Sequence, residues 1–351
     1  MNGIPPLLAQ PAPTPKRTGW IVYAVIVTFF LTLSALANFG LLALLAGGGT
    51  TEFESKNSSW QEHYVEGPRS ARDKIAVIDL AGIISYEGDD PSNGEGMVGD
   101  IKDQLDQAIA DKRVKAIIVR IDSPGGEVVA SDAIYRALAD VRDNTNRVIK
   151  VIAYIDTVGA SGAYYASMGA DYIVANELSI TGSIGVIMQT FNFRQLMDKI
   201  GVQAYTFKSG AMKDIMNPTR EPTEAEKKLV QDLIMEVYSK FVGIVSDERN
   251  ISLEKLKDGI ADGRIFSGKQ AKEEGLIDEV GYFEDAIDAA KELAKLKEAK
   301  VVHYAKPFSL RQLLHIFGKS QTPKIQLEIS PNALKLQAGK LYFLPPYMFG
   351  D

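Results

Sequence analysis

Short apolar runs that alternate with helical segments are the feature that most restricts how this chain can fold. Four such runs are predicted as buried strands: residues 75–80, 116–122, 148–155 and 172–175. A helix is expected after the second run, over about 129–141. Strands that alternate with helices pair in parallel and carry the helices on the faces of the sheet. The sequence therefore predicts an α/β domain with a mainly parallel sheet and flanking helices.

Further elements are predicted in the second half of the chain. Thr223-Glu-Ala-Glu226 is a capping box, and apolar residues follow it at helical spacing to about Asp247. A helix is also expected over 283–297. Residues 203–207 are predicted as a strand. Ser252 precedes a charged segment and is interpreted as a helix N-cap.

A long apolar run near the N-terminus, residues 20–46, predicts a membrane anchor. About 20 apolar residues suffice to cross a bilayer as a helix. Lys16 and Arg17 precede the run, so the N-terminus is expected in the cytoplasm and the body on the extracytoplasmic side of the cell membrane. A cleaved signal peptide is the alternative, because Ala35-Leu-Ala37 fits a cleavage site. The apolar run continues past that site, which favours an uncleaved, single-pass anchor.

These features divide the chain into five parts. They are a disordered cytoplasmic tail over 1–15, a transmembrane anchor over 16–48, a linker over 49–72, an α/β domain over 73–300 and a C-terminal extension over 301–351. The proline-rich start is typical of disorder. The extension is also punctuated by prolines and ends in an aromatic stretch, 342–349. It is either loosely packed or docks on a neighbouring subunit or into a substrate groove.

Ser161 lies on the junction between the 148–155 strand and a small-residue helical segment, 160–170, with Gly159 and Gly162 close by. Glycines permit a sharp turn. A serine on a strand-to-helix turn is held out from the sheet, beside the free N–H groups of the helix start. Such a turn suits a nucleophile and part of an oxyanion hole. In the alternative interpretation Ser161 is only an N-cap.

A second glycine turn, Ser123-Pro-Gly-Gly126, follows the 116–122 strand. Adjacent glycines offer backbone N–H groups with no side chain in the way, which suits a carbonyl oxygen that gains negative charge. An ordinary loop is the alternative. The equivalent position of this turn and the Ser161 turn, each between a strand and a helix, favours a shared site.

A nucleophilic serine needs a base. His63, His303 and His315 lie outside the α/β body, which disfavours a Ser-His-Asp triad. A lysine can replace histidine where burial disfavours its charged form. Lys213 is the candidate, because its segment is rich in small and apolar residues. Lys208, at the end of the predicted strand, is the rival.

Composition excludes several other chemistries. The chain has no cysteine, so disulfides, a thiol nucleophile and thiolate metal sites are ruled out. The net charge of −6 disfavours a general nucleic-acid partner. The sequence contains neither a metal-ligand spacing nor a Walker-type phosphate loop. We therefore expect no metal and no cofactor.

Five motifs, in this order along the chain, resemble the bacterial signal peptide peptidase A family. They are Gly126, Ala160-Ser161-Gly162, Thr181-Gly-Ser183-Ile-Gly, Lys208-Ser-Gly-Ala-Met-Lys213-Asp and Asp262-Gly-Arg-Ile-Phe-Ser-Gly-Lys269. The resemblance covers about residues 70–300 together with the anchor. It is closer to the short form, because no internal repeat is visible. The family belongs to the ClpP/crotonase superfamily, so the resemblance implies that fold class, preceded by one transmembrane helix.

The resemblance also implies a membrane-anchored serine endopeptidase with a Ser/Lys dyad. Ser161 would be the nucleophile, Lys213 the general base and Ser183 the residue that orients the lysine. The amides of Gly126 and Ser161 would form the oxyanion hole. The implied substrates are extended peptides such as remnant signal peptides, with small or apolar residues near the cut. A single-copy chain is expected to form a homo-oligomer to enclose the site.

Other functions stay open on the sequence alone. A crotonase-like acyl-CoA enzyme would share the fold and a backbone oxyanion hole without needing a Ser/Lys pair. A non-catalytic scaffold would keep only the fold. The membrane proteases that associate with stomatin-like proteins are a neighbouring enzyme alternative. Intact Ser161 and Lys213 favour a peptidase.

Overall fold

The computed structural model of the chain describes residues 18–46, 60–87, 96–144, 148–306 and 341–344. They fall into two compact units, which divide between Ser58 and Ser59. The predicted N-terminal tail and His315 lie outside the described residues.

The N-terminal unit contains one long apolar helix, α1, Thr18–Ala46. Its stretch Gly19–Gly40 has a mean hydropathy of 2.2, and no part of that stretch is buried by protein. Helices of this length and composition are able to cross a bilayer. This is the helix predicted as the anchor.

The body is built from eleven strands among the described residues. In chain order they are β1 Gln61–Glu66, β2 Lys74–Ala81, β3 Val114–Ser123, β4 Gly126–Glu127, β5 Lys150–Ala160, β6 Tyr172–Ala175, β7 Ile180–Gly182, β8 Ile265–Ser267, β9 Glu279–Val280, β10 Lys300–Ala305 and β11 Tyr342–Phe343. Nine of them form one sheet, with the order β1-β10-β2-β3-β5-β6-β9 along its main path. β4 and β11 form a separate two-stranded sheet.

Most pairings in the large sheet are parallel. The exceptions are β1 against β10 at one edge, and β8 against β7. β7 pairs in parallel with the last residues of β5, beyond the stretch where β5 pairs with β6. The predicted parallel sheet is therefore confirmed.

Helices cover both faces of the sheet. They are α2 Gly96–Ala110, α3 Val128–Asn144, α4 Gly162–Ser167, α5 Arg194–Ile200, α6 Glu224–Arg249, α7 Leu253–Lys255, α8 Gly268–Glu273 and α9 Phe283–Leu293. A π-helical turn, Leu256–Ile260, follows α7. Along β2 and β3 the side chains alternate between two buried layers, with Ile78 and Val119 in the larger layer and Val77 and Ile118 in the smaller. Strands that are covered on both faces have continuous apolar runs, and these runs made them recognisable in the sequence.

The structure differs from the sequence prediction at the borders of the body. β1 lies within the predicted linker and β10 within the predicted extension, yet both belong to the main sheet. β1 is an edge strand whose first five residues are exposed, so it lacks an apolar signal. The predicted strand over 203–207 is wrong, because these residues are exposed and pair with no strand.

Candidate active site

Ser161 lies in a strained turn between β5 and α4. Its backbone angles are φ 53 and ψ −114, in a region where a residue with a side chain is held at a cost of about 1–3 kcal/mol. Its side chain is fully buried, and its Oγ has no hydrogen-bond partner among the described residues. Because it makes no capping hydrogen bond to α4, the N-cap interpretation loses its support. A strained turn and an unpaired buried hydroxyl together are typical of a functional serine.

The neighbouring residues hold this turn in place. The Ser161 N–H donates to the Gly182 carbonyl at 2.8 Å, and the Thr181 hydroxyl donates to the Gly159 carbonyl at 2.8 Å. A methyl group at Gly159 would lie 2.7 Å from the Ile155 side chain. A side chain at that position would clash with Ile155, so glycine is needed where β5 approaches the turn.

The second glycine turn reaches the same place. A methyl group at Gly162 would lie 3.0 Å from the Gly126 nitrogen and 2.4 Å from the Ser131 hydroxyl oxygen. One at Gly125 would lie 2.6 Å from the Gly162 nitrogen. The amide groups of Gly126 and Gly162 therefore border one small space beside Ser161.

The two predicted oxyanion donors differ in their geometry. Gly126 lies beside the start of α4, as described above. The Ser161 amide instead donates to the Gly182 carbonyl. Its hydrogen therefore points into the sheet and is not available to a substrate oxygen. The Gly162 amide is in the first turn of α4, where N–H groups have no partner within the helix. The sequence prediction placed the N–H groups of the helix start at the site, but it named the Ser161 amide, not that of Gly162, as the second donor.

Ser183 is brought next to Ser161 by the pairing of β5 with β7. Ala160 and Gly182 are opposite each other in that register, and the two serines follow them. Ser183 is buried and has a φ of 52, and its N–H donates to the Arg264 carbonyl at 2.8 Å. Its position beside the nucleophile turn is compatible with a role in orienting a base.

Lys213 is exposed within the single chain, and its Nζ makes no hydrogen bond or ion pair with any described residue. The rival Lys208 is engaged, because its Nζ lies 2.6 Å from Asp214. Hydrogen bonds from Arg220 and from Lys208 hold the pKa of Asp214 well below its usual range. The structure therefore brings Ser161, Ser183 and Gly126 together, whereas Lys213 makes no hydrogen bond to either serine among the described residues.

No described histidine takes the place of the lysine. His303 on β10 contacts Asp79 at 2.8 Å, and His63 is opposite it on β1. Since the Ser161 Oγ has no partner within the described ranges, neither histidine is hydrogen-bonded to it. Over the same ranges there is no group of three or more acidic or histidine residues that could hold a metal.

An aromatic cluster lies one helical turn after Ser161. The Tyr165 ring on α4 contacts the Phe241 ring on α6, with centroids 5.0 Å apart. The Tyr165 hydroxyl donates to Asp132 at 2.6 Å, and Lys240 pairs with the same carboxylate. Burial alone would raise the pKa of Asp132, but hydrogen bonds from Lys240 and Tyr165 hold it below the usual range. These contacts tie α3, α4 and α6 together.

Comparison with known proteins gives a consistent result. The sequence profile of Peptidase family S49 matches residues 143–297. An Enterococcus faecium protein with the provisional name signal peptide peptidase SppA is 37% identical over 254 residues, which cover 72% of each chain. A Synechocystis protein provisionally named as a protease is 41% identical over 232 residues, 66% of this chain and 78% of the relative.

A longer relative matches over part of its length. Protease 4 of Salmonella typhi is 33% identical over 260 residues, which are 74% of this chain but 41% of the relative. The matches to the relatives of similar length cover most of both proteins, and the mostly parallel sheet agrees with a ClpP-like fold. The chain therefore belongs to peptidase family S49 and is a serine peptidase, as its motifs predicted.

Proposed function

We propose that this chain is a membrane-anchored endopeptidase that cuts extended peptides, remnant signal peptides among them, with Ser161 as nucleophile and Lys213 as general base. The observation that carries the proposal is the Ser161 turn, in which a strained, buried and unpaired hydroxyl lies beside two glycine amides. Family membership favours peptide hydrolysis over acyl-CoA chemistry.

In the proposed reaction the Ser161 Oγ adds to the scissile carbonyl carbon, and its proton passes to the base. The carbonyl oxygen becomes negative and accepts hydrogen bonds from the Gly126 and Gly162 amides. Rigid donors of this kind stabilise a tetrahedral intermediate without having to reorganise. As the intermediate collapses, the base returns its proton to the leaving amine and the peptide bond breaks. Water then attacks the acyl group on Ser161, gives a proton to the same base, and releases the acid and the free serine.

The base is proposed to come from a neighbouring copy of the chain. No residue between 185 and 225 is buried, and this stretch includes Lys213. Large apolar side chains are nevertheless exposed there, with Phe207 at 96% and Tyr205 at 78%. Large apolar side chains exposed together in one stretch are typical of an interface. This surface carries a lysine without a partner, and the site carries a serine without a base. Two identical chains in contact would each supply what the site of the other lacks.

Burial in such an interface would favour the neutral amine that a base requires. Ser183, next to the Ser161 turn, would then orient the incoming amine by a hydrogen bond. The proposed assembly is a homo-oligomer in which each contact is head-to-tail, so that every site receives one lysine. Lys208 stays with Asp214 and has a structural role.

The proposed location is the extracytoplasmic side of the cell membrane. The apolar helix α1 would be the single span, with Lys16 and Arg17 on the cytoplasmic side. Signal-peptide remnants lie in the same membrane, are apolar and are too short to form a packed core. The competing substrate class is stomatin-like proteins, with which a neighbouring group of membrane proteases associates. Cleavage of purified signal peptides and of a stomatin-like protein by the same preparation would separate the two.

The nucleophile is tested with a fluorophosphonate probe and a peptide substrate. Wild-type protein should be labelled on Ser161, and Ser161→Ala should lose labelling and about 10⁴-fold or more in kcat. Lys213→Ala and Lys213→Arg should be equally inactive, since an arginine side chain does not deprotonate. Lys208→Ala is the matched control and should keep most of the activity. Substantial hydrolysis by purified Ser161→Ala would refute the mechanism.

The shared site is tested by complementation. Ser161→Ala and Lys213→Ala chains are each expected to be inactive. When the two are co-expressed, a site that takes Ser161 from one chain and Lys213 from the other is complete, and random mixing should restore about a quarter of the activity. Mixed oligomers that remain inactive would show that both residues must come from the same chain.

A further inference from the structure

The fifth sequence motif, residues 262–269, has no part in the proposed reaction, yet it lies close to the site. It contains β8, which pairs antiparallel with β7. β7 in turn pairs with the end of β5, where the nucleophile turn begins. A single strand therefore separates the motif from that turn.

Ser183 is held by this motif through its backbone. It lies one residue beyond β7 and has a φ of 52, in the left-handed region that a residue with a side chain adopts at a cost. Its N–H donates to the Arg264 carbonyl at 2.8 Å. Strained conformations persist only where the surrounding structure fixes them. The direction of the Ser183 hydroxyl therefore depends on the position of the Arg264 carbonyl.

Close packing between the two segments adds to this hydrogen bond. A methyl group at Gly182 would lie 2.6 Å from the Phe266 ring, and one at Gly185 would lie 3.4 Å from the Gly263 Cα. The motif thus contacts the chain on both sides of Ser183. These contacts leave Ser183 little room to move relative to β8.

Asp262 fixes the turn that presents the Arg264 carbonyl. Its Oδ1 accepts the Arg264 N–H at 3.1 Å and the Nε–H at 2.8 Å, and its Oδ2 accepts from Nη2 at 2.6 Å. An aspartate that binds the backbone two residues further on forms a compact turn. Gly263, inside this turn, has a φ of 93, which glycine adopts readily. The Tyr238 hydroxyl on α6 donates to the preceding carbonyl, that of Ala261, at 2.8 Å.

We propose that Asp262 is a positioning residue for the reaction. It holds the Arg264 carbonyl, this carbonyl holds the Ser183 N–H, and the Ser183 hydroxyl then has a fixed direction from which to orient Lys213. The inference rests on the proposed function in taking Ser183 as the group that orients the base. Because Asp262 acts through Ser183, its loss should change the rate of the chemical step and not the binding of substrate.

The first test compares two aspartates of the same local geometry in the full-length enzyme. Asp262→Ala should lower kcat about tenfold with KM unchanged, since a small displacement of the base acts on the transition state. Asp111 is the matched control, because its Oδ1 accepts the Arg113 N–H and Nε–H in the same way. Asp111 also pairs with the buried Lys74, so Asp111→Ala should lower the melting temperature more than Asp262→Ala does and leave kcat unchanged. If kcat instead falls in step with stability in the two variants, Asp262 is merely structural and the inference is overturned.

The second test uses a conservative variant and a double variant. Asp262→Asn keeps the side-chain oxygen that accepts the Arg264 N–H, so it should keep most of the wild-type kcat. Ser183→Ala should lower kcat, and adding Asp262→Ala to it should cause no further loss, because both changes remove the same orientation. If Ser183→Ala keeps the wild-type kcat, the proposed role of Ser183 fails and the inference with it. If Ser183→Ala is defective but the two losses multiply, only the inference fails.

Discussion

At the residue scale, Ser161 combines strain with an unmet hydrogen-bonding need. A buried polar group without a partner destabilises the fold by about 1–3 kcal/mol. Sites of this kind trade stability for activity. The glycines around the turn made Ser161 recognisable from the sequence. The direction of its N–H, towards β7, was not predictable, because it depends on the pairing of β5 with β7, which no local pattern indicates.

Replacing Ser161 by alanine should therefore stabilise the protein while it abolishes activity. The backbone strain is unchanged, but the unpaired hydroxyl is removed, so the melting temperature should rise by a few degrees, equivalent to about 1 kcal/mol. Thermal unfolding of the detergent-solubilised protein measures it, at a dilution where the chain is monomeric and no neighbouring Lys213 reaches the hydroxyl. Ser131→Ala is the matched control, since that buried hydroxyl donates to the Glu127 carbonyl at 2.9 Å, and its loss should lower the melting temperature. A less stable Ser161→Ala protein would contradict the assignment of an unpaired hydroxyl.

Gly162→Ala tests the proposed oxyanion donors. The new methyl group would lie 3.0 Å from the Gly126 nitrogen and 2.4 Å from the Ser131 oxygen, so it crowds the space that we propose for the substrate oxygen. Disturbing such a donor lowers kcat by about 10²–10³-fold. Steady-state kinetics with a peptide substrate measures the effect. Gly243→Ala, which has no atom within 4 Å of its new methyl group, should leave kcat unchanged.

At the scale of elements, the sequence predicted those segments whose signal is local. The capping box at Thr223 is formed as expected: the Thr223 hydroxyl accepts from the Glu226 N–H, and the Glu226 carboxylate accepts from the Thr223 N–H. Ser252 likewise caps α7. The strands with continuous apolar runs were also found. β1 was missed because its polar residues become a strand only through pairing with β10.

Loss of the α6 cap should be measurable. Thr223→Ala removes the hydroxyl acceptor and should lower the free energy of unfolding by about 1 kcal/mol. Chemical denaturation measures the difference. Ser239→Ala lies within the same helix, where its hydroxyl only bonds back to the Met235 carbonyl, and it should have little effect. Equal effects of the two changes would mean that the cap does not stabilise α6.

At the scale of the whole molecule, a charged cluster joins three strands of the sheet. Arg120 on β3 donates two hydrogen bonds to Asp79 on β2, and His303 on β10 contacts the same carboxylate. Burial would raise the pKa of Asp79, but the hydrogen bonds from His303 and Arg120 outweigh it and lower the pKa to about 2. No local sequence pattern indicates this cluster, because its members lie far apart along the chain.

Acid should therefore weaken the sheet through Asp79. A carboxyl group whose pKa is lower in the folded state stabilises the fold at pH values above about 4, and this contribution is lost as the pH falls towards 2. Between pH 4 and pH 2, wild type should lose more stability than Asp79→Asn, and the gap between the two proteins should shrink. Denaturation at a series of pH values measures it. A constant gap would show that Asp79 is not ionised in a favourable pair.

The stretch between residues 185 and 225, which contains no buried residue, bears on when a newly made chain becomes active. If its partner surface is another copy, a chain that has just entered the membrane holds a nucleophile without a base and is harmless to its neighbours. Activity then depends on crowding within the plane of the bilayer. If the apolar helix α1 spans the membrane as proposed, it confines the chains to two dimensions, where encounters between them are frequent. A chain that is released from the membrane and diluted would lose its activity without any inhibitor.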